Sequence, residues 1–195
     1  MSEETGTVNP LRNPALVVLF TATAALFLYM AFVTGPAFRD AAGVALPDGR
    51  IAGYTPADVL DMHAGAKANP EAAAIANHMY RTLDFAFPAL LALSLTMLAA
   101  SGFAALKRLG SNISRPLARI ASGAIAVPYL VVDLRENGLA QALFSEASLA
   151  SDAPPGFTAL LPAFTAWKYA TLGAAALVVI AIWFQVWMRE RRERS

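Results

Sequence analysis

Apolar residues run along this chain in four long blocks, and the polar stretches between the blocks differ sharply in character. The blocks cover residues 15–34, 83–106, 117–139 and 163–188. Each can form a helix across a bilayer hydrocarbon core, which takes roughly 20 residues. The reading is an all-α membrane protein: a four-transmembrane-helix bundle with a small helical extracytoplasmic cap, residues 35–82, between helices 1 and 2. The first block, ALVVLFTATAALFLYMAFVT, is longer than the apolar core of a signal peptide. Glu3 and Glu4 precede it and no A-x-A site follows it, so it is expected to be a retained helix.

The polar stretches carry their own signals. Residues 1–14, MSEETGTVNPLRNP, are polar and broken by proline, and are expected to form a short arm. In the cap, Thr55-Pro56-Ala57-Asp58 places a threonine N-cap, a proline at the first helical position and an acid at the third, a capping box with Asp in place of Glu. Asn69-Pro70-Glu71 repeats the device, so the second spanning helix is expected to begin well outside the bilayer. Pro88 falls inside that helix. It removes one backbone hydrogen bond, and at membrane depth the freed carbonyl needs a donor from a neighbour.

Composition fits this picture, with 57% of residues hydrophobic and 15% charged, well below the charged share of soluble domains. The net charge of +1 conceals an asymmetry. The connection between the second and third blocks holds Lys107, Arg108, Arg115 and Arg119 and no acid, whereas residues 138–162 hold Glu146 and Asp152 and no Lys or Arg. The tail, residues 189–195, adds Arg189, Arg191, Arg192 and Arg194, and Arg12 precedes the first block. The positive-inside rule then puts both termini in the cytoplasm of a bacterial inner membrane, as four crossings require. The tail arginines, interleaved with Glu190 and Glu193, read as a topology signal and a lipid-headgroup contact rather than a nucleic-acid site. Cysteine is absent, which excludes disulfides, thiolate metal sites and thiol catalysis.

Candidate chemistry gathers at the end of the third block, in PYLVVDLRENGLAQ. The apolar run from Leu117 to Val132 is too short to cross alone, so Asp133, Arg135, Glu136 and Asn137 lie at membrane depth. At about 100° per residue, Tyr129, Asp133, Glu136, Asn137 and Ala140 share one face, and Arg135 points elsewhere. Ionisable groups at that depth are expensive unless they meet partners or a water-filled cavity. Matching depth between helices brings in Asp84 and Tyr80 on the second helix (with Phe87 and Leu91), Lys168 on the fourth (with Phe164 and Thr171), and the Tyr29 hydroxyl on the first. The expected pairs are Lys168 with Asp133 or Glu136, and Asp84 with Asn137, Tyr129 or an arginine, while Arg135 snorkels outward. Acids exceed bases in this set, and more so if Arg135 points away.

Other signals are weaker. His63 and His78, with Asp58 or Asp61, make a poor ligand set and are expected at the surface, so no metal or cofactor is assigned. Trp167, Tyr169, Trp183 and Trp187 read as an interfacial aromatic belt. Rows of small residues at four-residue spacing, Ala92-Thr96-Ala100-Ala104 and Ala166-Ala170-Ala174, are expected to let helices approach closely. Neither a G-x-S-x-G elbow nor a phosphate-binding glycine loop is present in the sequence.

Three segments together, Tyr54-Thr55 before a short capped helix, Tyr80-x-x-x-Asp84-x-x-x-Pro88, and Asp133-x-x-Glu136-Asn137 ending the third span, resemble a group of uncharacterised bacterial four-helix integral membrane proteins. The resemblance covers about residues 15–188 and implies the fold and topology but no activity. In helix number and intramembrane acids alone, the chain is also similar to the four-helix sterol-isomerase and sigma-2-receptor group, whose residue pattern does not map onto it.

The cluster can be a buried ionic network that fixes helix register, or it can carry function. The leading functional expectation is a small binding or accessory protein that recognises an amphiphilic ligand from the membrane lipids or docks onto a larger membrane complex. The alternatives are an enzyme that acts on a lipid or isoprenoid-like substrate by carboxylate acid/base chemistry, and a proton-coupled small transporter.

Overall fold

The computed structural model describes residues 13–50, 52–153 and 155–194, which form helices joined by short turns and loops, with no strand among them. Most of the arm, including Arg12, lies outside the described residues. Helix α1, Pro14–Tyr29, starts at the Asn13 cap, whose side chain accepts from the Ala15 amide at 3.1 Å. It widens into a π-turn, Met30–Thr34, and continues as α2, Gly35–Ala42. Gly43 ends α2 in the left-handed region, φ 75°, where its amide reaches the Arg39 carbonyl, a conformation costly for any residue with a Cβ. A short 3-10 turn, Pro47–Gly49, then leads to α3, Pro56–Ala68. The expected capping box is formed in full: Thr55 Oγ1 accepts from the Asp58 amide, and Asp58 Oδ2 accepts from the Thr55 amide at 2.7 Å.

Helix α4, Pro70–His78, begins at the Asn69 cap and passes through a second π-turn, Met79–Leu83, into α5, Asp84–Arg108. The second crossing therefore does begin in the cap, as one continuous 39-residue helical run from Pro70 to Arg108. Helix α6 covers Arg115–Leu143, α7 is a single turn, Glu146–Leu149, and α8 covers Pro155–Arg194. Four helical runs are long and apolar enough to cross a membrane: Pro14–Ala42, Pro70–Arg108, Arg115–Leu143 and Gly156–Arg194. Their outward faces are apolar as well, with Val18, Phe32, Phe85, Ile120, Leu177 and Ile180 all more than half exposed. Helices hydrophobic all round belong in lipid, and the chain is a multi-pass membrane protein.

Helices α5, α6 and α8 pack on one another as the centre of the bundle, while α1 leans on α5 and scarcely touches α8. Two apolar cores result. The bundle core holds Ala92, Leu95, Ala99, Ala126, Val179 and Ile182; the cap core holds Phe38, Val59, Met62, Met79, Leu143 and Phe144. Phe144 stacks on Tyr80 and meets Phe38 edge-on, each with ring centres 5.8 Å apart, so the cap is anchored on the ends of the spans.

Two expectations about packing are corrected here. Ala100, Ala104, Ala166, Ala170 and Ala174 are exposed, because a row at four-residue spacing drifts about 40° per step round a helix of 3.6 residues per turn. Close approach occurs instead at Gly102, where an added Cβ would lie 2.5 Å from Ile182 Cγ2. His63 is buried rather than superficial, at 4% exposure. Its Nε2 lies 3.1 Å from the Ser148 carbonyl and 3.3 Å from the Ser148 hydroxyl, which ties α3 to α7. His78 and Asp61 are exposed.

Candidate functional site

A polar layer separates the two cores. Helix α6 presents Tyr129, Asp133, Glu136, Asn137 and Ala140 on one buried face, and Arg135 is exposed on another, the division expected from helical periodicity. From α8 comes Lys168, 5% exposed, and from the start of α5 comes Asp84, 1% exposed.

Lys168 is the hub. Its Nζ lies 2.5 Å from Glu136 Oε2, 2.5 Å from Asp48 Oδ1 and 3.6 Å from Asp133 Oδ1. Asp48 belongs to the 3-10 turn of the cap, 120 residues from Lys168 in the chain. Sequence reasoning did not place it in the layer, because an acid between Pro47 and Gly49 reads as an ordinary turn residue. In the fold, Tyr80 donates to Asp48 Oδ2 at 3.1 Å and Tyr169 donates to the Asp48 carbonyl at 3.4 Å. The turn is thus latched by three side chains, two from α8 and one from the π-turn that precedes α5.

Thr165 was also missed. Its hydroxyl donates to Glu136 Oε1, and the Tyr54 hydroxyl lies 2.7 Å away. The inner face of α8 runs through Leu161, Thr165, Lys168 and Ala175, all buried, and is rotated from the expected Phe164–Lys168–Thr171 line. Phe164 and Thr171 are half-buried at its edge. Burial of the Tyr54 ring pushes its hydroxyl well above the usual phenol range, opposed by the bond to Thr165, so Tyr54 is a neutral hydrogen-bonding group.

Asp84 does not pair as expected. Asn137 Nδ2 donates to its backbone carbonyl, not to its carboxylate. That carbonyl stands four residues before Pro88 and is the one whose usual amide partner the proline removes. Asp84 Oδ2 is buried with no hydrogen-bond partner, whereas the Tyr129 hydroxyl lies beside the Asp133 carboxylate one turn further along α6. Tyr29 is 47% exposed on the outside of α1 and takes no part in the layer. The next residue, Met30, opens the π-turn and turns inward instead.

Beside the layer lies a cavity of about 410 Å³, lined on one side by apolar groups including Phe27, Met30, Phe87 and Leu172 and at its polar end by Asp48, Asp84, Asp133 and Lys168. Both π-turns border it, through Met30, Ala31 and Met79, and π-turns within α-helices recur at functional sites. At its rim Phe27 on α1 and Ala31 in the π-turn that follows are exposed within the first apolar block, on the side where α1 and α8 scarcely meet. Cavities of this size, apolar with a few convergent polar groups, are the usual form of small-molecule sites. No group of three or more His, Asp or Glu side chains suited to a metal ion is found among the described residues.

No family model, no curated protein and no solved structure matches this chain.

Proposed function

We propose that this protein binds an amphiphile drawn from the outer half of the bilayer, as a small binding or accessory protein of a bacterial inner membrane. One observation carries the reading: an apolar cavity at membrane depth ends on a cluster of buried ionisable groups. An ionic network whose only task was to fix helix register would be dry and closed, with each member paired. Here Asp84 Oδ2 and Asp133 Oδ1 border the cavity without a hydrogen bond, and buried polar atoms left in that state are costly. A bound headgroup would satisfy them, and its chain would lie in the gap between α1 and α8.

The orientation belongs to the same proposal. The basic connection between α5 and α6 and the arginine tail face the cytoplasm, and the cap faces outward. The chain has no native cysteine, so single cysteines at Asn112 and Ser151 give a clean test. A membrane-impermeant maleimide added to intact cells is expected to label the cysteine at 151 and to spare the one at 112.

Native mass spectrometry of the protein extracted from its own membrane tests the binding reading. A defined lipid retained by the wild type and lost from Ala31→Trp, which narrows the rim without touching an acid, supports it. A ligand-free protein that also takes up nothing from a lipid extract leaves the cluster a structural network.

A further inference from the structure

The polar end of the cavity holds more carboxyl groups than the protein neutralises, and the ones left over face the cavity. Lys168 is already engaged by Asp48 and Glu136, each at 2.5 Å; Asp133 Oδ1 stands within ion-pair range of it at 3.6 Å but outside hydrogen-bond reach, and the Tyr129 hydroxyl lies beside the same carboxyl. Asp84 Oδ2 has no partner at all. Asp84 and Asp133 are each 1% exposed, and both line the cavity, as does Tyr129 one turn before Asp133. The nearby arginines do not correct the balance. Arg50 pairs with Asp58 at 2.5 Å in the cap, Arg135 is exposed on the far face of α6, and Arg39 stands exposed at the cavity mouth beside Asp40, 3.8 Å away.

Carboxyl acceptors without hydrogen bonds, in excess of the cations the protein supplies there, call for a cation that carries N–H donors. A quaternary ammonium has none and is recognised by aromatic cages; a primary ammonium offers three donors on a compact charge. Resting on the amphiphile-binding reading above, we propose that the ligand bears a primary ammonium group that seats at Asp84 and Asp133. Its apolar chain runs out past Phe27 and Leu172 into the bilayer. The same headgroup chemistry is found in an aminophospholipid and in a single-chain amine; Arg39 at the mouth is placed to meet the phosphate of the former.

The test uses the purified full-length protein, delipidated in detergent, with thermal unfolding and native mass spectrometry as readouts. The probes are phosphatidylethanolamine, dodecylamine, phosphatidylcholine, phosphatidylglycerol and dodecanol. Expected is binding of one or both primary amines at least tenfold tighter than of the other three. Phosphatidylethanolamine alone points to a membrane phospholipid, dodecylamine alone to a single-chain amine. Asp84→Asn and Asp133→Asn should each weaken amine binding at least tenfold, and Ala31→Trp should block it with every acid in place. Equal binding of phosphatidylcholine or dodecanol overturns the ammonium assignment while leaving an amphiphile site standing. Failure of all five probes, with no lipid retained from the native membrane, overturns both. If an Asp variant does not fold, Tyr129→Phe serves in its place, and an unchanged preference for amines together with unimpaired binding by Ala31→Trp removes the proposed seat.

Discussion

Asn137 donates its side-chain amide to the backbone carbonyl of Asp84, and that carbonyl is the one Pro88 deprives of its helical partner. One bond joins α5 to α6 at the level of the polar layer and closes the gap that a proline opens in a spanning helix. It also leaves the Asp84 carboxyl free to point into the cavity. The motif that ends α6 and the proline inside α5 are therefore two halves of one arrangement.

Replacing Asn137 by Leu removes the donor and strands that carbonyl. We expect a loss of about 1–2 kcal/mol, the usual penalty for an orphaned buried acceptor, read as a lower unfolding midpoint in detergent. Pro88→Ala restores an amide at residue 88, so the double variant should lose less than Asn137→Leu alone. Additive losses would show that the two residues are uncoupled.

Lys168→Met leaves Asp48, Asp133 and Glu136 around an apolar side chain. Stripping the cation from a buried ionic cluster costs about 3–5 kcal/mol, and this should be the most damaging single change in the layer. Asp48→Asn should cost less, about 1–2 kcal/mol, because the Asp48 side chain keeps 21% exposure and an amide can still accept from Lys168 through its oxygen while its NH2 donates to the Tyr80 hydroxyl. Denaturant unfolding of both variants, side by side, checks the ranking.

Gly102→Ala drives a methyl group to 2.5 Å from Ile182 Cγ2, beside the Trp183 indole that donates to the Leu98 carbonyl at 3.2 Å. A β-branched side chain has little freedom to move aside, so overpacking of about 1–3 kcal/mol is expected. Adding Ile182→Ala should recover part of it, and thermal unfolding of the pair measures how much.

In the cap, hydrogen bonds from the Thr55 amide and hydroxyl, then the Arg50 guanidinium, lower the Asp58 carboxyl from 3.8 to about 2. A depressed folded value means the protein binds the proton less readily than the unfolded chain does, so the cap's contribution is complete above about pH 4. It is lost as pH falls through about 2. Carboxyl NMR of labelled protein should place the Asp58 midpoint near 2 and raise it only part of the way toward 3.8 in Thr55→Ala, which keeps the amide donor and loses the hydroxyl; that variant itself should lose about 1 kcal/mol of stability. A wild-type midpoint near 3.8 would show that the box is open in solution.

What the sequence determined by itself is whatever the bilayer and the helix period impose locally. Length and apolarity set four crossings, cap residues set the starts of α3 and α4, and the 3.6-residue period sorted Tyr129, Asp133, Glu136 and Asn137 inward and Arg135 outward. Each of these conditions acts within one segment. The rest depended on how segments meet. Asp48 reaches Lys168 across 120 residues because the cap folds back over the spans, and no local pattern records that. The rotation of α8 that brings Thr165 to Glu136, the inward turn of Met30 in place of Tyr29, and the burial of His63 against Ser148 were likewise decided by packing between elements. So was the cavity. It lies where α1 leans on α5 and scarcely meets α8, a choice among helix contacts that apolar segments of similar composition do not specify before they assemble.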